Sequence, residues 1–172
     1  SSLMPTVKKF TELEIWQLAN ELDKKIQQHI NTGTLAKDFS LKDQISRSAG
    51  SVSDNIAEGF GRGGRIEFIQ YLSISKGSVS ELQSQLSRCL NRNYISKEIF
   101  EDINMLADKT GNKIGEFIKY LNQSNFAGTK FQNRVKNSKE QTTMSIHQQI
   151  KQQEKSNKEQ ANKKKKQKTN IL

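Results

Sequence analysis

The sequence predicts an all-α protein: an up-down-up-down antiparallel four-helix bundle over residues 10–124. A short N-terminal extension (1–9) precedes it and a basic, disordered tail (125–172) follows. Three observations predict this. Apolar residues recur at steps of three and four through four long segments. No segment shows the period-two alternation of a strand. The single proline, Pro5, lies ahead of all four segments, where it breaks none of them.

The first helix is expected to start at Thr11, because Thr11-Glu12-Leu13-Glu14 has the form of a capping box, Thr at the N-cap and Glu at N3. Ile15, Leu18, Ala19, Leu22, Ile26 and Ile30 then mark one buried face, and Gly33 is the expected stop. Ser40 is the expected cap of the second helix, with Asp43 in its first turn. Its stripe is Leu41, Ile45, Ala49, Val52, Ile56 and Phe60, and it should end within Gly59-Phe60-Gly61-Arg62-Gly63-Gly64, where glycine destabilises further helix.

The third helix is expected from about Arg65 to Arg92, its inward face formed by Phe68, Ile69, Leu72, Val79, Leu82, Leu86 and Cys89 or Leu90. Ser96 should cap the fourth. Its stripe is Ile99, Ile103, Leu106, Ala107, Thr110, Ile114, Phe117, Ile118 and Leu121. Four helices of roughly 20–28 residues joined by loops of roughly 4–9 pack up-down-up-down.

From Lys130 onward the pattern fails. Val135, Met144, Ile146, Ile150 and Ala161 are too sparse for a stripe, so this segment buries too little apolar surface to offset its ordering entropy. A transient helix around Ile146 and Ile150 stays open. Charge divides at the same place. Residues 1–128 carry 16 Lys and Arg against 15 Asp and Glu, whereas residues 129–172 carry 12 against 3. The net charge of +10 therefore belongs mostly to the tail, and the bundle is near neutral.

A length of 172 residues suits one domain, and a bundle of about 110–120 residues can bury a working core. Only 33% of the residues are apolar, and the mean hydropathy is −0.80. No apolar run approaches a membrane span, and residues 1–10 lack the apolar stretch of a signal peptide. Cys89 is the one cysteine, which excludes an internal disulfide. These features lead us to expect a cytoplasmic protein without a membrane partner.

Catalytic and cofactor readings fail on residue type. A di-metal bundle site needs two Glu-x-x-His pairs. The histidines are His29 and His147, and Ile26 and Met144 stand three residues before them. No metal or other cofactor is expected. Cys89 lies on an apolar stripe with no histidine near in sequence, which reads as a structural thiol.

Residues Gly59 to Gly64 satisfy G-x-G-x-x-G, but a helix precedes them where a dinucleotide site requires a strand. They read as an interhelical turn, or as an anion site beside Arg62 and Arg65 at a helix start. Asn55, Glu58 and Glu81 offer polar groups near the second and third stripes. They read as a hydrogen-bond network fixing helix register or a subunit contact, with an acid–base pair as the weaker alternative.

Lys163, Lys164, Lys165, Lys166 and Lys168 form a dense polycation. Such a run binds polyanions by counterion release without needing structure. It also has the form of a nuclear-localisation signal.

The stretch Ser48-Ala49-Gly50-Ser51-Val52-Ser53-Asp54-Asn55-Ile56-Ala57-Glu58-Gly59, centred on Asn-Ile-Ala-Glu-Gly, resembles the hallmark of the four-helix-bundle family of 23S rRNA intervening-sequence proteins. The Gly61-Arg62 turn, Glu67-Phe68-Ile69-Gln70-Tyr71-Leu72 and Gly77-Ser78-Val79-Ser80-Glu81-Leu82 follow in the family's order, so the resemblance covers roughly residues 8–122.

It implies an up-down bundle, a homo-oligomer that is a homopentameric ring, and no established enzymatic activity. It also implies kinship with the accessory proteins of diversity-generating retroelements, which bind nucleic acid and a partner reverse transcriptase. In such a ring Asn55, Glu58, Gly59 and Glu81 would order the bundle or its contacts, and five tails would supply about +45 formal charge.

The expected function is a non-enzymatic, oligomeric nucleic-acid-binding protein, RNA-binding before DNA-binding. The tail lysines contact phosphates, and Arg47, Arg62, Arg65, Arg88 and Arg92 form a secondary basic surface. The alternative is a protein–protein adaptor serving a reverse transcriptase. A cryptic enzyme using Glu58 and Glu81 is a third reading.

Overall fold

A computed structural model describes residues 7–123, together with Gln148, residues 150–155 and Glu159. The chain divides into two compact units, Ser1–Gly128 and Thr129–Leu172. The first holds four long helices: α1 (Glu14–Ile30), α2 (Phe39–Arg62), α3 (Arg65–Asn91) and α4 (Lys97–Gln123). Helices α1 and α3 each pack against α2 and α4, the closure of a four-helix bundle. In the second unit the described residues are helical and exposed. The remaining part of the expected disordered tail lies outside the described residues.

The core is made by the stripes read from the sequence. Leu22, Ile26, Leu41, Ile45, Val52, Ile56, Leu72, Leu82, Ile103 and Ile114 are fully buried. Burying such side chains, at about 25 cal/mol per Å² of apolar surface, drives the assembly. Phe60, Ile69, Ile99, Leu106, Phe117 and Ile118 lie half-buried at its edges. Between helices, Lys25 reaches Asp102 at 2.6 Å across α1 and α4. Gln83 donates to Asn104 at 3.0 Å and Asp108 at 2.7 Å across α3 and α4.

Two expected caps are corrected. Thr11 is not an N-cap: it sits inside a single 3-10 turn, Phe10–Glu12, and α1 starts three residues later behind Leu13 without a side-chain cap. The turn sets the Phe10 ring edge-on to Trp16, 5.3 Å between centroids. It also buries Leu13, and that apolar gain outweighs one cap bond. Ser40 likewise lies within α2. The cap is Asp38, whose Oδ1 accepts the Leu41 N–H at 3.1 Å. Ser96 does cap α4, accepting the Ile99 N–H at 3.2 Å.

Helix α2 continues through Gly59 and Gly61 and stops at Gly63, which takes the left-handed conformation (φ +74°) that favours glycine. Only Gly63 and Gly64 separate α2 from α3.

Candidate nucleic-acid interface

The α2–α3 seam is narrow because its facing residues are small. Ser75 donates to the Val52 carbonyl at 2.7 Å, and the Ser51 and Ser78 hydroxyls meet at 2.8 Å. Asn55 donates to the Ser51 carbonyl at 2.8 Å and to its hydroxyl at 2.9 Å, which orients that hydroxyl toward α3. A β-carbon on Gly59 would stand 2.7 Å from the Tyr71 Cβ and 2.9 Å from the Phe68 ring, so the close approach of the helices requires glycine there.

Glu58 belongs to a three-residue cluster. Its carboxylate accepts from Arg62 at 2.7 Å and from the Tyr71 hydroxyl at 3.1 Å. Arg62 also donates to that hydroxyl at 2.9 Å, and its guanidinium stacks over the Tyr71 ring. The Arg62 bond, and then that of Tyr71, hold the Glu58 carboxyl below its ordinary pKa. Glu81 stands about 15 Å further along α3 from Tyr71, at 1.5 Å per residue. Its contact is Gln85 Nε2, at a long 3.5 Å. The two carboxylates thus sit in separate surroundings and do not form an acid–base pair. The Gln85 Oε1 is buried without a hydrogen-bond partner.

The five arginines do not form one patch. Arg62 and Arg65 lie at the α2–α3 turn. Arg88 and Arg92 lie at the other end of α3, Arg65 and Arg88 being roughly 35 Å apart along the helix. Each has an acceptor. Arg47 pairs with Asp43 at 2.9 Å and Arg92 with Asp38 at 3.0 Å. Arg88 donates to Gln44 at 3.3 Å, and Arg65 donates to the Leu121 carbonyl at 3.3 Å. Lys163, Lys164, Lys165, Lys166 and Lys168 lie outside the described residues.

A cluster that sequence reading missed closes the opposite end. Asp38 receives the Leu41 N–H, then the Tyr94 hydroxyl at 3.0 Å and Arg92, and these bonds hold its carboxyl below the ordinary range. The same Asp38 bond raises the Tyr94 phenol. No local motif announces the cluster, since Asp38 is 56 positions from Tyr94. Ser75 and Ser78, buried on α3, were also missed as seam residues. Their signal was available: small hydroxyls at a spacing of three on the apolar side of the helix.

Cys89 is fully buried, and burial pushes its thiol up to about 11. Among the described residues no group of His, Cys, Asp and Glu is placed to hold a metal ion, and no helix is long and apolar enough to cross a membrane. A groove of about 320 Å³ is lined by the apolar Leu13 and Phe117 and by Glu12, Glu14, Glu116 and Lys113, three acidic groups against one basic. Its sign disfavours phosphate.

A family model described as 23S rRNA-intervening sequence protein matches residues 11–116. A crystal structure of a protein with unknown function from the S23 ribosomal protein family of Bacteroides thetaiotaomicron VPI-5482 is 25% identical, with a TM-score of 0.57. The match covers 61% of this chain and 95% of that one. No curated protein matches.

Proposed function

The chain belongs to the 23S rRNA-intervening sequence protein family, and on that premise we propose that it is a non-enzymatic, homo-oligomeric protein that binds RNA in the cytoplasm. One observation carries the reading: residues 129–172 hold 12 Lys and Arg against 3 Asp and Glu, while residues 1–128 are balanced at 16 against 15. The bundle acts as a hub, and the tail lysines release counterions from phosphates. Arg47, Arg62, Arg65, Arg88 and Arg92 add dispersed contacts, each already held by an acceptor in the bundle.

Replacing Lys163, Lys164, Lys165, Lys166 and Lys168 with glutamine should weaken RNA binding at least tenfold and flatten its dependence on salt. Unchanged affinity and slope would exclude the tail. Parallel titrations with duplex DNA decide the nucleic acid.

The near-neutral bundle favours a second reading, an adaptor for a protein partner such as a reverse transcriptase. Co-purification of such a polymerase through the lysine-substituted chain would favour it.

A further inference from the structure

Three glycines lie inside helices without an evident reason. Gly50 and Gly61 on α2 and Gly77 on α3 have no positive φ. A β-carbon would meet nothing within 4 Å at Gly61 and Gly77, and at Gly50 only the Asp54 carboxylate at 4.0 Å. Glycine inside a helix weakens it relative to alanine. Among the described residues nothing returns that loss, in contrast to Gly59.

The surroundings of Gly77 are equally unusual. Ile66, Ser73, Ile74, Ser80 and Ser84 share its exposed face, and Ile74 is 53% exposed. The outer face of α4, by comparison, carries Glu101, Asp102, Asp108, Lys109 and Lys119. Two exposed charges flank Gly77. Lys76 reaches with its Nζ to within 3.3 Å of where a β-carbon on Gly115 of α4 would stand. Glu81 has no cation within ion-pair distance among the described residues. Such a face suits close packing of another helix.

We propose that the α3 face around Gly77 docks on the outer face of α2 of a second copy of this chain, with Glu81 of one copy pairing with Arg47 of the next. Neighbouring corners of a four-helix bundle point about a right angle apart, so a repeated α3-to-α2 contact turns at every copy and closes a small ring. In a ring whose axis runs along the helices every residue keeps its height, and α3 meets the next α2 antiparallel. The heights follow from the contacts within one chain, where Gln44 meets Arg88, Ser51 meets Ser78 and Glu58 meets Tyr71.

Interpolating between those rungs sets Arg47 level with about Ser84, about 4 Å in height from Glu81 and within reach of a long side chain, and Gly50 level with Val79, about 3 Å in height from Gly77. One contact thereby brings a cation near Glu81 and sets two of the three glycines, Gly50 and Gly77, on facing helices. Arg47 is available for it, and in the ring it leaves phosphate to the tail lysines and the other arginines: its side chain is 73% exposed, and its present partner Asp43 is an exposed neighbour one turn away, a pairing that contributes little.

The test is the mass of the full chain by light scattering, with circular dichroism as the check on folding. Glu81→Arg and Arg47→Glu should each weaken self-association at least tenfold, and combining them in one chain should restore it. Gly77→Leu should block assembly while leaving the monomer helical. If a charge reversal disturbs folding, Glu81→Gln and Arg47→Gln replace it and should weaken assembly in the same direction. Single variants that assemble as the wild type, or a double variant that stays dissociated, overturn the contact. The inference rests on the assembly proposed above. A monomeric wild type sinks both, whereas an oligomer indifferent to these exchanges sinks this contact alone and leaves RNA binding untouched.

Discussion

Gly59 and Tyr71 are packed so closely that a β-carbon on the glycine would come within 2.7 Å of the tyrosine Cβ. The last residue of the Asn-Ile-Ala-Glu-Gly segment is thus a spacing element, setting how near α3 approaches α2. Gly59→Ala must push the helices apart, and it should destabilise the bundle by about 1–3 kcal/mol despite alanine's better helix propensity. Urea unfolding followed by circular dichroism measures this. A neutral or stabilising effect would mean that the seam yields.

Asp38, rather than Ser40, starts α2. Asp38→Ala removes the cap on Leu41 and the bonds from Tyr94 and Arg92 together. Its urea midpoint should fall clearly below that of Ser40→Ala, which loses only the long 3.5 Å contact from Gln44. Equal midpoints would return the cap to Ser40.

Acid should loosen both ends of the α2–α3 pair. Asp38 and Glu58 have carboxyls held below their ordinary values, so the unfolded chain takes up protons more readily than the folded one. Their stabilisation is complete above the ordinary carboxylate range and is lost as pH falls through it toward the folded values. The urea midpoint should therefore be higher at pH 7 than at pH 3. Combining Asp38→Asn with Glu58→Gln should shrink that difference, and an undiminished difference would place the acid sensitivity elsewhere.

Cys89 should behave as core. With its thiol raised to about 11 and no exposure, alkylation at pH 8 should be slow in the native protein and rapid in urea. Cys89→Ser, which buries a hydroxyl, should cost about 1–3 kcal/mol. Fast native labelling would show that α3 opens locally.

Periodicity made the helices and most of the core legible, because a stripe such as Leu41-Ile45-Ala49-Val52-Ile56 has one way to be buried. Capping was less legible. Thr11 and Ser40 satisfy local rules, yet burial of Phe10 and Leu13 and the distant Tyr94 and Arg92 decide where α1 and α2 begin. Of the candidate site, Asn55 meets Ser51 one turn back on its own helix, a contact that spacing alone allows, whereas the Ser51–Ser78, Glu58–Tyr71 and Gly59–Tyr71 approaches depend on how α2 and α3 are registered. The dispersion of the arginines was invisible for the same reason: sequence gives their number, whereas their acceptors are set by which helix faces which.

The two-residue link at Gly63 and Gly64 has a consequence for how the molecule comes into being. Closing so short a connection sacrifices little chain entropy, and the contacts it permits are local in sequence. Every residue of the α2–α3 hairpin, Ser51, Ser75 and Ser78 included, precedes α4 in the chain. The hairpin therefore needs the least chain closure of the helix pairs around it, and α4, packing on α3 and back on α1, adds the contacts of longest sequence separation.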